Sequence, residues 1–427
     1  MGRLWQPCLP LFILLLALPS ILGVATHDRR ELSPLSTDDM VQLISARDPL
    51  KNLNPSNPAS HLSKILIPRI PDTENNTLVR NYIVSTLKAL NWHIELDEFT
   101  DQTPIGQKHF VNVIATKNPA ASRRVVLSAH FDSKYFPHYP QNQATTDSAA
   151  PCAMMLDLAE TLNPLLDKRQ QRFEEGEEDD DDLADITLQL VFFDGEEAFV
   201  DWTDKDSIYG ARHLAEKWAT TYIPPNPRRR LMNVQMTELG GIEHFILLDL
   251  LGAPQPSIRS FFIDTAWLFD SLVSVERRLG ENGAFAYAND KSMAPGKWTS
   301  YFRPRTTTSM NFGYIGDDHL PFLQRGVSVL HLIPEPFPHV WHTIGDDASV
   351  LDLPTLRRWN IMLRVFMSEY LNLQPQDFQS RSNPVQRSES ELVSMPIYLD
   401  DAFLTRCNLF KTSRQHEKRL DSVLIFR

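Results

Sequence analysis

Ile186-Thr187-Leu188-Gln189-Leu190-Val191-Phe192-Phe193 runs directly into Asp194-Gly195-Glu196-Glu197, and this stretch decides the fold class. A short, near-continuous apolar run is the mark of a strand buried on both faces, as parallel strands covered by helices are. The acidic residues at its end then fall where α/β sheets collect their functional groups, at the carboxyl ends of strands.

The flanking sequence repeats the pattern. Phe110–Ala115 and Arg124–Ala129 are further short runs rich in β-branched residues, and Ile94–Phe99 alternates as a strand does. Between and around them, Thr73–Leu90 carries Leu78, Tyr82, Ile83, Leu87 and Leu90 at helical spacing, and Pro151–Leu162 also reads as helix. Strands alternating with helices predict an α/β protein, with a mixed sheet covered on both faces.

Composition agrees with a folded enzyme. The 427 residues are 42% hydrophobic and 22% charged, with a formal net charge of −12, and nothing is basic enough to indicate a nucleic-acid partner. Arg3 precedes an apolar stretch from Leu9 to Leu22 that ends in small residues near Ala25. The stretch is short and broken by Pro10 and Pro19, so residues 1–25 read as a secretory leader and not as a membrane anchor. Cys152 and Cys407 remain after its removal, too few for a disulfide framework. Asn75-Asn76-Thr77 is an N-glycosylation sequon that a secreted chain could use.

Like charges crowd between Leu166 and Ile186, including Glu174, Glu175 and Asp179–Asp182. The run lacks the glycine and ligand spacing of a calcium loop, so residues 167–185 read as a solvated, disordered insertion. A polar stretch leads to about Ser60, and composition shifts again after Leu371. The catalytic domain is therefore expected to span 26–373, with 374–427 a tail.

Four clusters carry candidate chemistry: His130-Phe131-Asp132-Ser133, Thr146-Asp147-Ser148, Asp194-Gly195-Glu196-Glu197 and Trp341-His342-Thr343. Asp, Glu and His brought from separate strand ends make the N/O donor set that zinc accepts with one position open. In the adjacent pair, one of Glu196 and Glu197 can bind metal while the other serves as acid/base. Taken singly, each has a plain structural explanation, an Asp before a helix being most often an N-cap. Their joint appearance carries the argument.

The wording of these segments resembles the glutaminyl cyclases. The resemblance rests on His130–Phe136, Asp147–Met155, Phe192–Phe199, Leu248–Pro254, Asp317–Leu323 and His331–Thr343, in the family's order from about Met40 to Leu373. It implies a three-layer α/β/α sandwich with a mixed central sheet, of the zinc-aminopeptidase type. It also implies cyclisation of N-terminal glutamine, and more slowly glutamate, to pyroglutamate with release of ammonia. On the same footing Asp147, Glu197 and His342 are the ligands of one Zn2+ per chain, and Glu196 is the general acid/base with Asp249 and Asp317 as acidic partners. Trp202, Phe337 and Trp341 fall on the substrate wall. The implied partners are peptides and proteins beginning in glutamine, with no nucleic acid, no membrane after leader removal, and a monomeric enzyme.

Two positions depart from the family pattern. Ala129 replaces a cysteine that would pair with Cys152, leaving Cys152 a buried free thiol, and Gly316 replaces a substrate-contacting glutamine. The competing reading is a two-zinc aminopeptidase of the same fold, with His130 and Asp249 ligating the second ion. A non-catalytic binding protein is disfavoured, since a buried carboxylate cluster without chemistry only costs stability.

Overall fold

The computed structural model describes residues 31–139, 144–176, 185–223, 236–287, 294–305 and 315–381. Its centre is a six-stranded sheet in the order β1-β2-β4-β3-β5-β6. The strands are β1 (His93–Thr103), β2 (Gly106–Thr116), β3 (Arg123–His130), β4 (Ile186–Phe193), β5 (Ile242–Leu248) and β6 (Val329–Leu332). β1 and β2 form an antiparallel hairpin, β2 pairs antiparallel with β4, and β4, β3, β5 and β6 run parallel. The sheet is therefore mixed, as expected.

Alternate residues of each inner strand feed opposite cores, because successive side chains point to opposite faces. Leu188, Leu190 and Phe192 of β4 join the larger cluster, where helices α3 (Glu74–Ala89), α4 (Ala150–Glu175), α6 (Ala266–Glu281) and α8 (Leu353–Tyr370) pack. Val191 and Phe193 point the other way, to Leu214 and Trp218 of α5 (Tyr209–Thr220) and Phe322 of the short helix α7 (Leu320–Leu323). All of β4 is buried, which explains its unbroken apolar run. Three layers follow, helices, sheet and helices.

α4 and α8 are tied by a buried ion pair. The Arg364 guanidinium donates through Nε and Nη2 to Asp157 Oδ2 at 3.1 and 2.6 Å, and Asn52 Nδ2 donates to Asp157 Oδ1 at 3.0 Å.

Three sequence expectations are corrected here. The polar stretch before Ser60 contains helix α1 (Thr37–Ser45), which buries Met40 and Leu43, and helix α2 (His61–Ile65) begins directly after it. The acidic insertion read over 167–185 starts too early, because α4 continues to Glu175. Two i,i+4 pairs, Gln170–Glu174 and Gln171–Glu175, support that last stretch, and Arg169 Nη1 donates to Ile186 O at 2.9 Å. Gly176, with φ 74°, closes the helix, and residues 177–184 lie outside the described residues. Nor does the fold stop at Leu373. A 3₁₀ turn over Pro375–Arg381 sets Phe378 against the core and pairs Asp377 with Arg172. Contacts close on one unit ending at Arg381. The leader and the remainder of the tail, with Cys407, lie outside the described residues.

Candidate active site

The parallel strands aim their carboxyl ends at one place. His130 ends β3, Asp194–Glu197 follow β4, and Asp249 follows β5. Asp317 precedes α7, His342 lies in the loop after β6, and Asp147 sits in an irregular turn at the foot of α4 with φ −113° and ψ 78°. Asp346 fixes that turn by accepting from Thr146 N and Thr146 Oγ1, both at 3.0 Å. Gly195 permits the tight exit from β4. Its φ is +80°, and a Cβ there would meet the Phe110 ring at 2.4 Å.

Asp147, Glu197 and His342 each offer a donor atom, all within 4.8 Å of one another. His342 Nε2 lies 3.3 Å from Glu197 Oε2 and 3.7 Å from Asp147 Oδ2. Ligand bonds of about 2.0–2.1 Å place the corners of a tetrahedron about 3.3 Å apart, so this spacing suits zinc. Buried Glu197 Oε1 has no partner among the described residues, as a group awaiting a cation would. Burial pushes the Glu197 carboxyl up, but Lys134 and His342 outweigh that and hold it down to about 2.

A second donor group, His130, Asp147 and Asp249, is equally close. Several of its atoms make hydrogen bonds. His130 Nε2 is 2.9 Å from Asp147 Oδ1, and Asp249 Oδ1 accepts from Ser148 Oγ and from Leu250 N, the latter at 2.8 Å. A third group, Asp317, His319 and His331, is likewise spoken for in part, with His331 Nε2 at 2.7 Å from Asp317 Oδ2.

Glu196 faces a cleft of about 210 Å³ lined also by Asp147, Trp202, Asp249, Gly316, Phe337, Trp341 and His342. Burial raises its carboxyl well above the usual range. His130 opposes that, and Glu197, Asp317 and Asp318 add to it. Of the two acidic partners implied for Glu196, Asp317 is among these leading charges and Asp249 is not. Trp341 stacks on the His342 ring at 3.8 Å between centroids and meets Phe337 edge-on at 4.7 Å. Trp202 and Trp341 remain 44% and 38% exposed, so an apolar wall stands open to a ligand. The structure thus gathers all nine sequence-selected residues around one cleft, Glu197 and Asp317 standing buried behind it. A larger cavity of about 240 Å³, lined by Lys117, Arg169 and Gln170 among others, contains none of them.

The model of Peptidase family M28 matches residues 112–367. Glutaminyl-peptide cyclotransferase of Bos taurus is 43% identical over 319 residues, covering 73% of this chain and 81% of the relative. That of Drosophila melanogaster is also 43% identical, over 311 residues, covering 73% and 79%. This chain belongs to the glutaminyl cyclases. The crystal structure of Macrostomum lignano glutaminyl cyclase matches at 32% identity with a TM-score of 0.67, covering 82% of this cyclase and 98% of that chain. A Zn-dependent exopeptidase from Parabacteroides distasonis, 19% identical with a TM-score of 0.50, is similar in fold.

Several residues of the cyclase site escaped the sequence reading of roles. Asp132 accepts from Glu196 N at 3.1 Å and Glu197 N at 3.3 Å, fixing the backbone of the glutamate pair. Arg69, fully buried, donates from Nε to Phe131 O at 2.5 Å and from Nη2 to Ala144 O at 3.0 Å, clamping the loops that carry Asp132 and Asp147. Lys134 Nζ lies 3.0 Å from Glu197 Oε2. Asp132 and Lys134 stand within the run that carries the resemblance, so their position was available. Cys152 is free and buried, as expected from Ala129, and its thiol contacts His130 O at 3.1 Å.

Proposed function

We propose that this enzyme converts N-terminal glutamine of peptides and proteins to pyroglutamate with release of ammonia, using one zinc ion held by Asp147, Glu197 and His342. The observation that carries the reading is one cleft joining that donor set to a buried Glu196 and an open aromatic wall. The names of the relatives, glutaminyl-peptide cyclotransferases at 43% identity, point to the same reaction.

Zinc, when bound, supplies Lewis acidity toward the side-chain amide of the substrate. Glu196 takes a proton from the α-amine, which must be neutral to attack, and returns it to the departing ammonia. A carboxyl of raised basicity suits both halves: ionised, it accepts from the amine, and once protonated it donates to the departing ammonia. Nucleophile and amide belong to one residue, so Trp202, Phe337 and Trp341 act by folding the glutamine side chain and excluding water. Burial, and after it Glu197, Asp317 and Asp318, raise the basicity of the Glu196 carboxylate, so it takes up the amine proton more readily.

His130, Asp147 and Asp249 form the set a second ion would take, and zinc content decides between one ion and two. Leader removal near Ala25, secretion, glycosylation at Asn75 and a monomeric state complete the proposal. Asn75 is half-buried in the first turn of α3, and no helix among the described residues is long and apolar enough to cross a membrane.

Mass spectrometry of a glutamine-initiated peptide tests the function. An intact chain that has lost ammonia, with one zinc per enzyme by elemental analysis, is the expected result. Free amino acids together with two tightly held zinc ions would identify an aminopeptidase instead.

A further inference from the structure

We infer that Lys134 is a positioning residue for the metal, acting through Glu197; the inference rests on the zinc site proposed above. The loop after β3 lies against the loop after β4 and grips it at two levels. Asp132 holds the backbone by accepting from Glu196 N and Glu197 N. Lys134 holds the side chain: its Nζ lies 3.0 Å from Glu197 Oε2 and 3.3 Å from Ala198 O. Oε2 is also the oxygen that faces His342 Nε2, at 3.3 Å. One ammonium therefore pins the Glu197 oxygen that faces His342.

Two further observations separate this role from others. Lys134 is not among the residues lining the cleft, and its ammonium lies against Glu197 Oε2 and Ala198 O. Its side chain is only 16% exposed, and Glu197's only 2%, so the pair is shielded from the water that weakens surface ion pairs. A carboxylate freed of this contact could rotate and lose its register with His342. Partners that orient a metal ligand typically govern affinity by about 10- to 100-fold.

The test is zinc affinity by chelator competition at one fixed pH, measured without substrate. Lys134→Met, which keeps the length and removes the ammonium, should weaken zinc binding by about 10- to 100-fold. Lys134→Arg, which restores a charged donor, should recover most of the loss. Turnover of Lys134→Met on a glutamine-initiated peptide should return toward wild type as free zinc is raised, with KM unchanged once the site is filled. Unchanged or tighter zinc binding would overturn the inference, because the ammonium would then merely repel the cation. So would a raised KM that persists at saturating zinc, which would make Lys134 a substrate contact. Should Lys134→Met not fold, Lys134→Gln keeps an N–H for Ala198 O and is judged by the same affinity. The affinity is read without turnover, so an enzyme that made no pyroglutamate would leave this result standing and refute only the reaction.

Discussion

Asp206 makes a sharp test of how the aromatic wall is held. Its Oδ1 accepts from Phe199 N at 2.9 Å and Tyr209 Oη at 2.8 Å, and its Oδ2 accepts from Val200 N at 2.9 Å and Asp201 N at 3.1 Å. Together these bonds shape the loop that presents Trp202. Burial raises the Asp206 carboxyl, but the Phe199 and Val200 amides, Tyr209 and the Asp201 amide outweigh it and hold the group below its ordinary value. Asp206→Asn is nearly isosteric, and its better amide orientation keeps the oxygen on the Val200 and Asp201 amides and turns the NH2 to Tyr209 Oη, which can accept, leaving Phe199 N facing a donor. A buried donor left unpaired costs about 1–3 kcal/mol. Phe199 is buried, so the middle of that range applies, about 2 kcal/mol. At 1.4 kcal/mol per tenfold, the loop equilibrium shifts by about thirtyfold. Apparent affinity falls with the competent fraction, so KM for a glutamine-initiated peptide should rise by about three- to thirtyfold. Because Asp132, outside this loop, holds the Glu196 and Glu197 backbone, kcat and zinc content should change little. Steady-state kinetics with elemental analysis reads both. A lowered kcat with unchanged KM would refute the argument, since the loop would then serve the reacting groups and not the wall.

Glu196→Gln should keep stoichiometric zinc and the wild-type melting temperature while losing nearly all turnover, because it removes a proton carrier and no ligand; zinc analysis beside kinetics checks it. His342→Ala should instead lose the metal, and a chelator should reproduce that with wild-type protein. Two glycines should respond oppositely to alanine in thermal melts. At Gly316 a Cβ meets only Trp202 Nε1 at 3.5 Å, so stability should hold, whereas at Gly210 it would strike Asn112 Oδ1 at 2.2 Å and Asp194 O at 2.5 Å and the melting temperature should fall steeply. Glu160 links stability to pH. Burial raises it, but His61, Arg47 and Asn52 outweigh that and hold it at about 2 against an ordinary 4.5. A depressed carboxyl contributes stability above the unfolded value and loses it as pH falls through the folded one. The acid limb of a melting-temperature profile between 4.5 and about 2 should therefore flatten in Glu160→Gln.

Legibility in the sequence followed burial. β4 was readable to the residue because both its faces are covered, leaving no polar alternation to blur the run. The α3 boundaries were readable because Thr73 caps the helix with its side chain, accepting from Asn76 N at 3.3 Å. α4 was cut short because its last turns are polar on every side and are held by side-chain pairs and by Arg169 reaching the β4 backbone, contacts that periodicity does not carry. α1 was passed over although its pattern is present: Met40, Leu43 and Ile44 recur at i, i+3 and i+4 behind Ser36, whose side chain accepts from Asp39 N, inside a stretch read for its overall polarity alone.

The site divides along a similar line. Asp147, Glu196, Glu197 and His342 could be nominated because the chemistry itself demands those residue types at strand ends. Asp132, Lys134, Asp206 and Arg69 could not be assigned their roles, because each acts on backbone or on another side chain across 62 to 75 residues of sequence, or within a turn whose shape no pattern announces. An Asp or Lys near a strand end reads as a solvated surface group until the structure shows what it faces. The metal count lies outside that contrast. His130, Asp147 and Asp249 are a competent ligand set both as residue types and in spacing. Hydrogen bonds from Ser148 and Leu250 N to Asp249 Oδ1 do not disqualify it, since Lys134 makes the same kind of contact to Glu197 Oε2 in the first set. Donor types and spacing on this fold therefore serve one ion or two alike, and the zinc content of the purified enzyme is what distinguishes a one-zinc cyclase from a two-zinc peptidase.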